Sequence, residues 1–235
     1  MIFSKPDTSG KSGKPKLWIL VSLGAVGPLA MNIFIPSIPG LMSIFQSSYG
    51  TVQLVLVAYL LSMAVAQLLV GPLSDRFGRR IVALLGLLVC IIGSIVCIYS
   101  VEIEMLILGR IVQAIGACSG LVMSRTIIRD IYGTNRAASM LGYLTMAMVV
   151  VPMVAPSIGG VLDDNFGWQA SFLFVMGYGI LIFFLTLIFL NETHTGPFIN
   201  ERPERIILDF WQLLKRWKFS RHAFQISFSS AAFFL

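Results

Sequence analysis

The sequence predicts an all-α membrane protein: a six-transmembrane-helix bundle built from two inverted three-helix repeats. Three observations predict it. Of 235 residues, 57% are hydrophobic and only 12% charged, about half the charged share of an ordinary soluble domain. The apolar residues gather into six runs, each near the roughly 20 residues a helix needs to cross the hydrocarbon core. The basic residues outside those runs fill every second connection and are missing from the others.

Residues 1–16, MIFSKPDTSGKSGKPK, are rich in Lys, Ser and Gly and read as a disordered tail. The run behind them is longer than a signal-peptide core and is followed by five more spans, so it reads as an uncleaved first helix. The spans fall at 17–37, 50–70, 80–99, 103–123, 137–160 and 168–190. They must be helices, because a lone strand leaves backbone groups unpaired in lipid. Residues 191–223 read as a linker. In its segment RIILDFWQLLKRWKF, residues 205–219, Ile206, Phe210, Leu213, Leu214 and Trp217 share one helical stripe, with Lys215, Arg216 and Lys218 largely off it. This pattern suits an interfacial helix on the inner leaflet; a plain cytoplasmic linker helix is the alternative. A seventh run, 224–235, is too short to cross at about 1.5 Å per residue. It predicts a fragment that stops inside its seventh helix.

Orientation follows from 17 Lys and Arg. Lys5, Lys11, Lys14 and Lys16 lie in the tail, Arg76, Arg79 and Arg80 after the second span, and Arg125, Arg129 and Arg136 after the fourth. Arg202, Arg205, Lys215, Arg216, Lys218 and Arg221 follow the sixth. The connections 38–49, 100–102 and 161–167 hold none. The positive-inside rule therefore predicts a multi-pass protein of the cytoplasmic (inner) membrane with its N-terminus in the cytoplasm. Membrane lipid is then a partner, and nucleic acid is not, since the bases sit between apolar runs rather than on one face.

The stretch GPLSDRFGRR, residues 71–80, is echoed by GVLDDNFGWQ, residues 160–169, in the frame Gly-x-Leu-[Ser/Asp]-Asp-x-Phe-Gly. Three spans separate them, so they face opposite sides of the membrane, and only the cytoplasmic copy keeps arginines. A chance match of a common loop phrase is the bland alternative. Its position after the second helix of each unit favours an inverted repeat, the usual build of secondary transporters, with the substrate site near the midplane.

These residues carry a resemblance. GPLSDRFGRR resembles the loop between the second and third helices of the major facilitator superfamily. LGRIVQAIGA, residues 108–117, is similar to its fourth-helix motif through Arg110 and Gln113, with Ala114 where glycine is expected. VPMVAPSIGG, residues 151–160, resembles the fifth-helix antiporter motif through Pro156, Gly159 and Gly160, with Val151 and Ala155 at glycine positions. NIFIPSIPGL, residues 32–41, resembles the end of the first helix in Bcr/CflA-type drug:proton antiporters, where an Asp usually stands at Asn32. The resemblance implies the N-terminal half of a twelve-helix transporter, with a substrate enclosed between halves. It implies export of small amphipathic molecules driven by proton entry, a gating latch at Asp75, and a proton-coupling arginine at Arg110. A missing C-terminal half, or a second copy, would then be a partner.

The candidate residues also have a physical reading of their own. Gly71 and Gly78 suit the ends of a tight turn. Asp75 can neutralise a neighbouring Arg or accept from a helix N-terminus. Arg76, Arg79 and Arg80 orient the helix and meet anionic lipid even without gating. Arg110 lies about seven residues into a span, where arginine costs several kcal/mol on the gentlest scale. It either snorkels outward or points into the bundle, and Asn32 is the expected first-helix partner at that depth. Asparagine cannot carry a proton, so the carrier lies in the missing half, or coupling differs, or it is lost. Pro152 and Pro156 remove backbone donors, and Gly159 and Gly160 permit close approach. That reads as a bent cavity-lining helix or as ordinary packing.

Cys90, Cys97 and Cys118 sit within spans as small apolar side chains. His194 and His222 have no ligand partners at metal spacing, so no metal site is expected. No phosphate loop, nucleophile–base pair or cofactor fingerprint occurs, which predicts neither an enzyme nor a cofactor. Phe34, Tyr59, Met63 and Met146 are candidates for an apolar cavity lining, or face lipid. An uptake permease of the same fold and a non-transporting remnant or assembly partner stay open as alternatives to efflux.

Overall fold

The computed structural model describes residues 16–193 and Arg221, without the side chains of residues 134 and 135. Six helices in it are long and apolar enough to span a membrane: α1 (Leu17–Ile44), α2 (Tyr49–Phe77), α3 (Arg79–Ile98), α4 (Ile103–Gly133), α5 (Arg136–Phe166) and α6 (Gln169–Phe189). The tail 1–15, most of the linker 191–223 with the interfacial helix expected in it, His194, His222 and the seventh run 224–235 lie outside the described residues.

The helices outrun the apolar stretches that announce them. α2 continues through Ser74, Asp75 and Arg76 to Phe77, and α4 and α5 carry ten and six residues beyond the expected 123 and 160. Hydropathy marks only the part suited to hydrocarbon, whereas a helix propagates into water wherever its hydrogen-bond ladder is unbroken. Gly71 is one casualty: it lies inside α2 rather than at a turn, with open space where a Cβ would stand. The connection expected over 38–49 also shrinks. α1 is a helix over Leu17–Asn32, a 3₁₀ turn at Ile35–Ser37 and a helix again over Ile38–Ile44. Pro36 and Pro39 cause the break, since neither has an N–H to return to the preceding turn.

Two tight turns repeat each other. Gly78 (φ 95°, ψ 152°) joins α2 to α3, and Gly167 (φ 80°, ψ 170°) ends α5. Their N–H groups donate to Ser74 and Asp163 carbonyls at 3.1 and 2.9 Å, the same position of the repeated frame. Both conformations lie in a region that essentially only glycine occupies. Lys16 reaches within 6.0 Å of the Phe189 ring at the end that also holds Gly78, whereas Phe45 meets Trp168 at 5.6 Å at the other. The twin turns therefore close opposite ends of the bundle, as an inverted repeat requires.

Burial follows the same symmetry. In the first helix of each unit, α1 and α4, 61% of the most apolar stretch is buried; in the second helices, α2 and α5, only 22% and 17% is. α1 and α4 thus form the centre, and α2 and α5 present wide apolar flanks such as Leu61, Leu69, Met146 and Met153. Between α3 and α4 the packing is nearly backbone on backbone. A Cβ on Gly93 would sit 2.3 Å from the Gln113 nitrogen, and one on Gly116 2.2 Å from the Cys90 nitrogen. Small residues allow this approach, which is what binds helices where lipid offers no hydrophobic drive. Cys90, Cys97 and Cys118 are free and buried there.

Candidate functional site

Arg110 stands in the third turn of α4, about 10 Å from the helix start, and is fully buried. It does not snorkel. Its Nη1 donates to the Ala30 carbonyl of α1 at 2.9 Å and to Gln113 Oε1 at 2.8 Å. Gln113 Nε2 passes the contact to Ser94 Oγ at 2.8 Å, and Ser94 to the Cys90 carbonyl at 2.9 Å. The rest of the guanidinium is boxed by aromatic faces: Tyr59 at 4.1 Å, Phe34 at 5.1 Å and Phe172 at 5.7 Å. In a desolvated box the ring quadrupoles stabilise a cation by about 2 kcal/mol or more. The Tyr59 hydroxyl is itself fixed, donating to the Gly27 carbonyl at 3.0 Å. Nε and Nη2 of Arg110 have no acceptor among the described residues. The ion pairs of Arg79 with Asp75 and Asp130 leave Arg110 out, and the buried polar side chains among those residues include no Asp or Glu.

Asn32 is not the partner expected. Its amide donates to the Pro28 carbonyl one turn back, at 2.7 Å. The first-helix contact of Arg110 is a backbone oxygen, which the broken helical course of α1 leaves able to accept. Phe34 and Tyr59 are fully buried and wall in the arginine. Met63 packs its methyl against Gly27, and Met146 points outward, 65% exposed.

At the basic end, Arg79 gathers several groups. Its guanidinium pairs with Asp75 at 2.6 Å and Asp130 of α4 at 3.2 Å, and Nη1 also donates to Ser74 Oγ. Its backbone N–H donates to Glu192 Oε1 at 2.9 Å, and that of Arg80 to Glu192 Oε2 at 3.2 Å. Arg80 Nη2 reaches the Leu187 carbonyl at 2.7 Å. Arg76 lies exposed, 5.3 Å above the Phe77 ring. Of the basic turn, then, Asp75, Gly78, Arg79 and Arg80 are brought together, while Gly71 and Arg76 stand apart.

On α5, Gly159 is used for close approach: a Cβ there would fall 1.8 Å from the Ile33 carbonyl oxygen. Gly160 is not, its nearest neighbour being Pro36 Cβ at 4.0 Å. Pro152 and Pro156 lie half-buried inside the helix. Ala155, at a position where glycine was expected, is buried with Ala30, Ile33 and Tyr59 in one apolar cluster.

A family model described as Major Facilitator Superfamily matches residues 20–235. The chain belongs to the Major Facilitator Superfamily. It is 39% identical over 160 residues to multidrug resistance protein D of Escherichia coli (strain K12), covering 68% of this chain and 41% of that protein. An uncharacterized MFS-type transporter of Bacillus subtilis (strain 168) is 32% identical over 227 residues, covering 94% and 56%. A chloramphenicol resistance protein of Pseudomonas aeruginosa is 34% identical over 164 residues, covering 69% and 39%. The crystal structure of the human organic anion transporter MFSD10 (TETRAN) superposes with a TM-score of 0.57 at 21% identity, over 75% of this chain and 47% of that one. The chain spans about half the length of the curated relatives it matches.

This superfamily member is thus a multi-pass membrane protein of a transporter family, not an enzyme. Three contact residues escaped the sequence reading. Asp130 and Glu192 are single acids in short polar stretches, with no periodicity to mark them. Phe172 is one of five phenylalanines in α6 and its flank, 168–190, and only the fold selects it to face Arg110.

Proposed function

We propose that this chain forms the first six-helix bundle of an alternating-access exporter that expels small amphipathic molecules in exchange for protons. The observation that carries the reading is Arg110, held fully buried among three aromatic rings with no carboxylate beside it among the described residues. A cation at this depth is costly, and intramembrane ionisable residues mark substrate and ion pathways. Multidrug and chloramphenicol resistance proteins among the relatives support the efflux direction.

Arg110 and Gln113 form the fixed positive part of the pathway, and Asn32 stands on α1 two residues past the Ala30 carbonyl that Arg110 holds. Because Asn32 cannot titrate, the proton carrier is supplied by the opposing bundle, either one completing the relatives' length or a second copy. The apolar flanks of α2 and α5 suit that contact as well as lipid. The tail and both basic connections face the cytoplasm, by the distribution of Lys and Arg. In that orientation Asp75, paired with Arg79, latches the cytoplasmic entrance. Pro152 and Pro156 shape the course of α5, and Gly159 lets it approach α1, with Gly160 beside it.

The test uses the complete transporter in everted vesicles, with export of ethidium measured under an imposed pH gradient. Arg110→Met is expected to abolish gradient-driven flux while the protein still inserts. Asp75→Asn is expected to lower turnover. Parental turnover in Asp75→Asn ends the gating assignment, and parental flux in Arg110→Met ends the pathway assignment. Solute accumulation in place of export would favour an uptake permease.

A further inference from the structure

The first backbone N–H groups of a helix have no partner within it and need an acceptor from elsewhere. At α3 the preceding residue is Gly78, which has no side chain to offer. The acceptor comes instead from Glu192, just past α6 and 113 residues along the chain, which takes the N–H of Arg79 on one carboxylate oxygen and that of Arg80 on the other. A negative charge at a helix N-terminus is also favoured by the helix dipole. Gly78 makes room for it: a Cβ there would lie 2.5 Å from Glu192 Oε2. The same helix end adds a second strap through the Leu187 carbonyl and Arg80. The twin turn at Gly167 has the same backbone, and no such contact is found there among the described residues. The nearest atom to a Cβ there is Gln169 Oε1 at 3.3 Å, from the helix that follows it.

We propose that Glu192 is a positioning residue: a clasp from the end of α6 that sets the backbone of the α2–α3 turn, and so the placement of the Asp75–Arg79 pair. The proposal rests on reading that turn as the entrance latch. With the clasp closed, Arg79 is held at its guanidinium by Asp75 and Asp130 and at its backbone by Glu192. The turn therefore travels with α6 rather than hinging freely between α2 and α3.

The test is amide hydrogen exchange on the chain in lipid nanodiscs, read for peptides covering 78–82. Glu192→Ala is expected to raise exchange there by about tenfold, the modest end for two charge-assisted bonds. Glu192→Gln keeps one acceptor oxygen and restores part of the protection. Thr193→Ala leaves it at the parental level. Parental exchange in Glu192→Ala overturns the clasp. In the complete transporter, Glu192→Ala is expected to lower kcat at unchanged KM. Parental kcat in Glu192→Ala, with Asp75→Asn impaired, overturns the positioning role and leaves the latch standing. If the clasp opens as expected and Asp75→Asn is fully active, the latch reading is what falls.

Discussion

Replacing Tyr59 separates the two ways in which it serves Arg110. Tyr59→Phe removes only the hydroxyl that donates to Gly27, and such bonds between membrane helices contribute about 0.6 kcal/mol on average. The ring 4.1 Å from the guanidinium remains. Tyr59→Leu removes the ring as well, forfeiting a desolvated cation–π contact of about 2 kcal/mol. It also leaves a cavity of roughly 25 Å³, costing about 0.6 kcal/mol at about 24 cal/mol per Å³. The expected loss is therefore about 3 kcal/mol for Tyr59→Leu against about 0.6 kcal/mol for Tyr59→Phe. Reversible unfolding in mixed micelles with rising sodium dodecyl sulfate fraction, followed by circular dichroism, measures both. In an Arg110→Met background the gap between the two variants is expected to narrow by about 2 kcal/mol, because no cation remains to stabilise. A gap below about 1 kcal/mol, or one that Arg110→Met leaves unchanged, would refute the aromatic box as the counterpart of the buried charge.

Other expectations follow from single contacts. Gly159→Ala forces α1 and α5 apart and is expected to cost about 1–3 kcal/mol, whereas Gly160→Ala stays within about 0.5 kcal/mol; the same unfolding assay compares them. Gly167→Ala places a side chain in a glycine-only conformation and is expected to lose about 1–3 kcal/mol, seen as a lower unfolding midpoint. Asn32→Asp puts a titratable group on α1 two residues beyond the Ala30 carbonyl that Arg110 holds. In the complete transporter it is expected to add a pH-dependent step to flux, and an unaltered pH profile would count against a coupling position on the first helix.

What was legible in the sequence was whatever lipid or chain geometry enforces over many residues. Six spans, the twin glycine turns and an inward Arg110 all follow from the cost of exposing polar groups to hydrocarbon. Close approach at Gly159 was legible because a small residue in a membrane helix has few other uses, but not that α1 is the neighbour, nor that Gly160 beside it has room to spare. The losses are of another kind. Gly71 was misplaced because hydropathy ends where lipid ends, while α2 goes on through Asp75 to Phe77. Asn32 was assigned to Arg110 by depth alone; its rotamer, turned back onto Pro28, depends on the local course of α1. Asp130 and Glu192 meet the basic turn from 51 and 113 residues away, and no local pattern encodes contacts of that range.

The glycine seam between α3 and α4 constrains how this bundle can move. Gly86 and Gly93 are one heptad apart, as are Gly109 and Gly116, and in each case the facing helix fills the space a methyl would need. Sliding one helix along the other by a single residue would drive side chains into backbone. Rocking during a transport cycle must then treat these two helices as one stiff plank, and any flexing has to be found elsewhere, where bulkier side chains leave slack between neighbours.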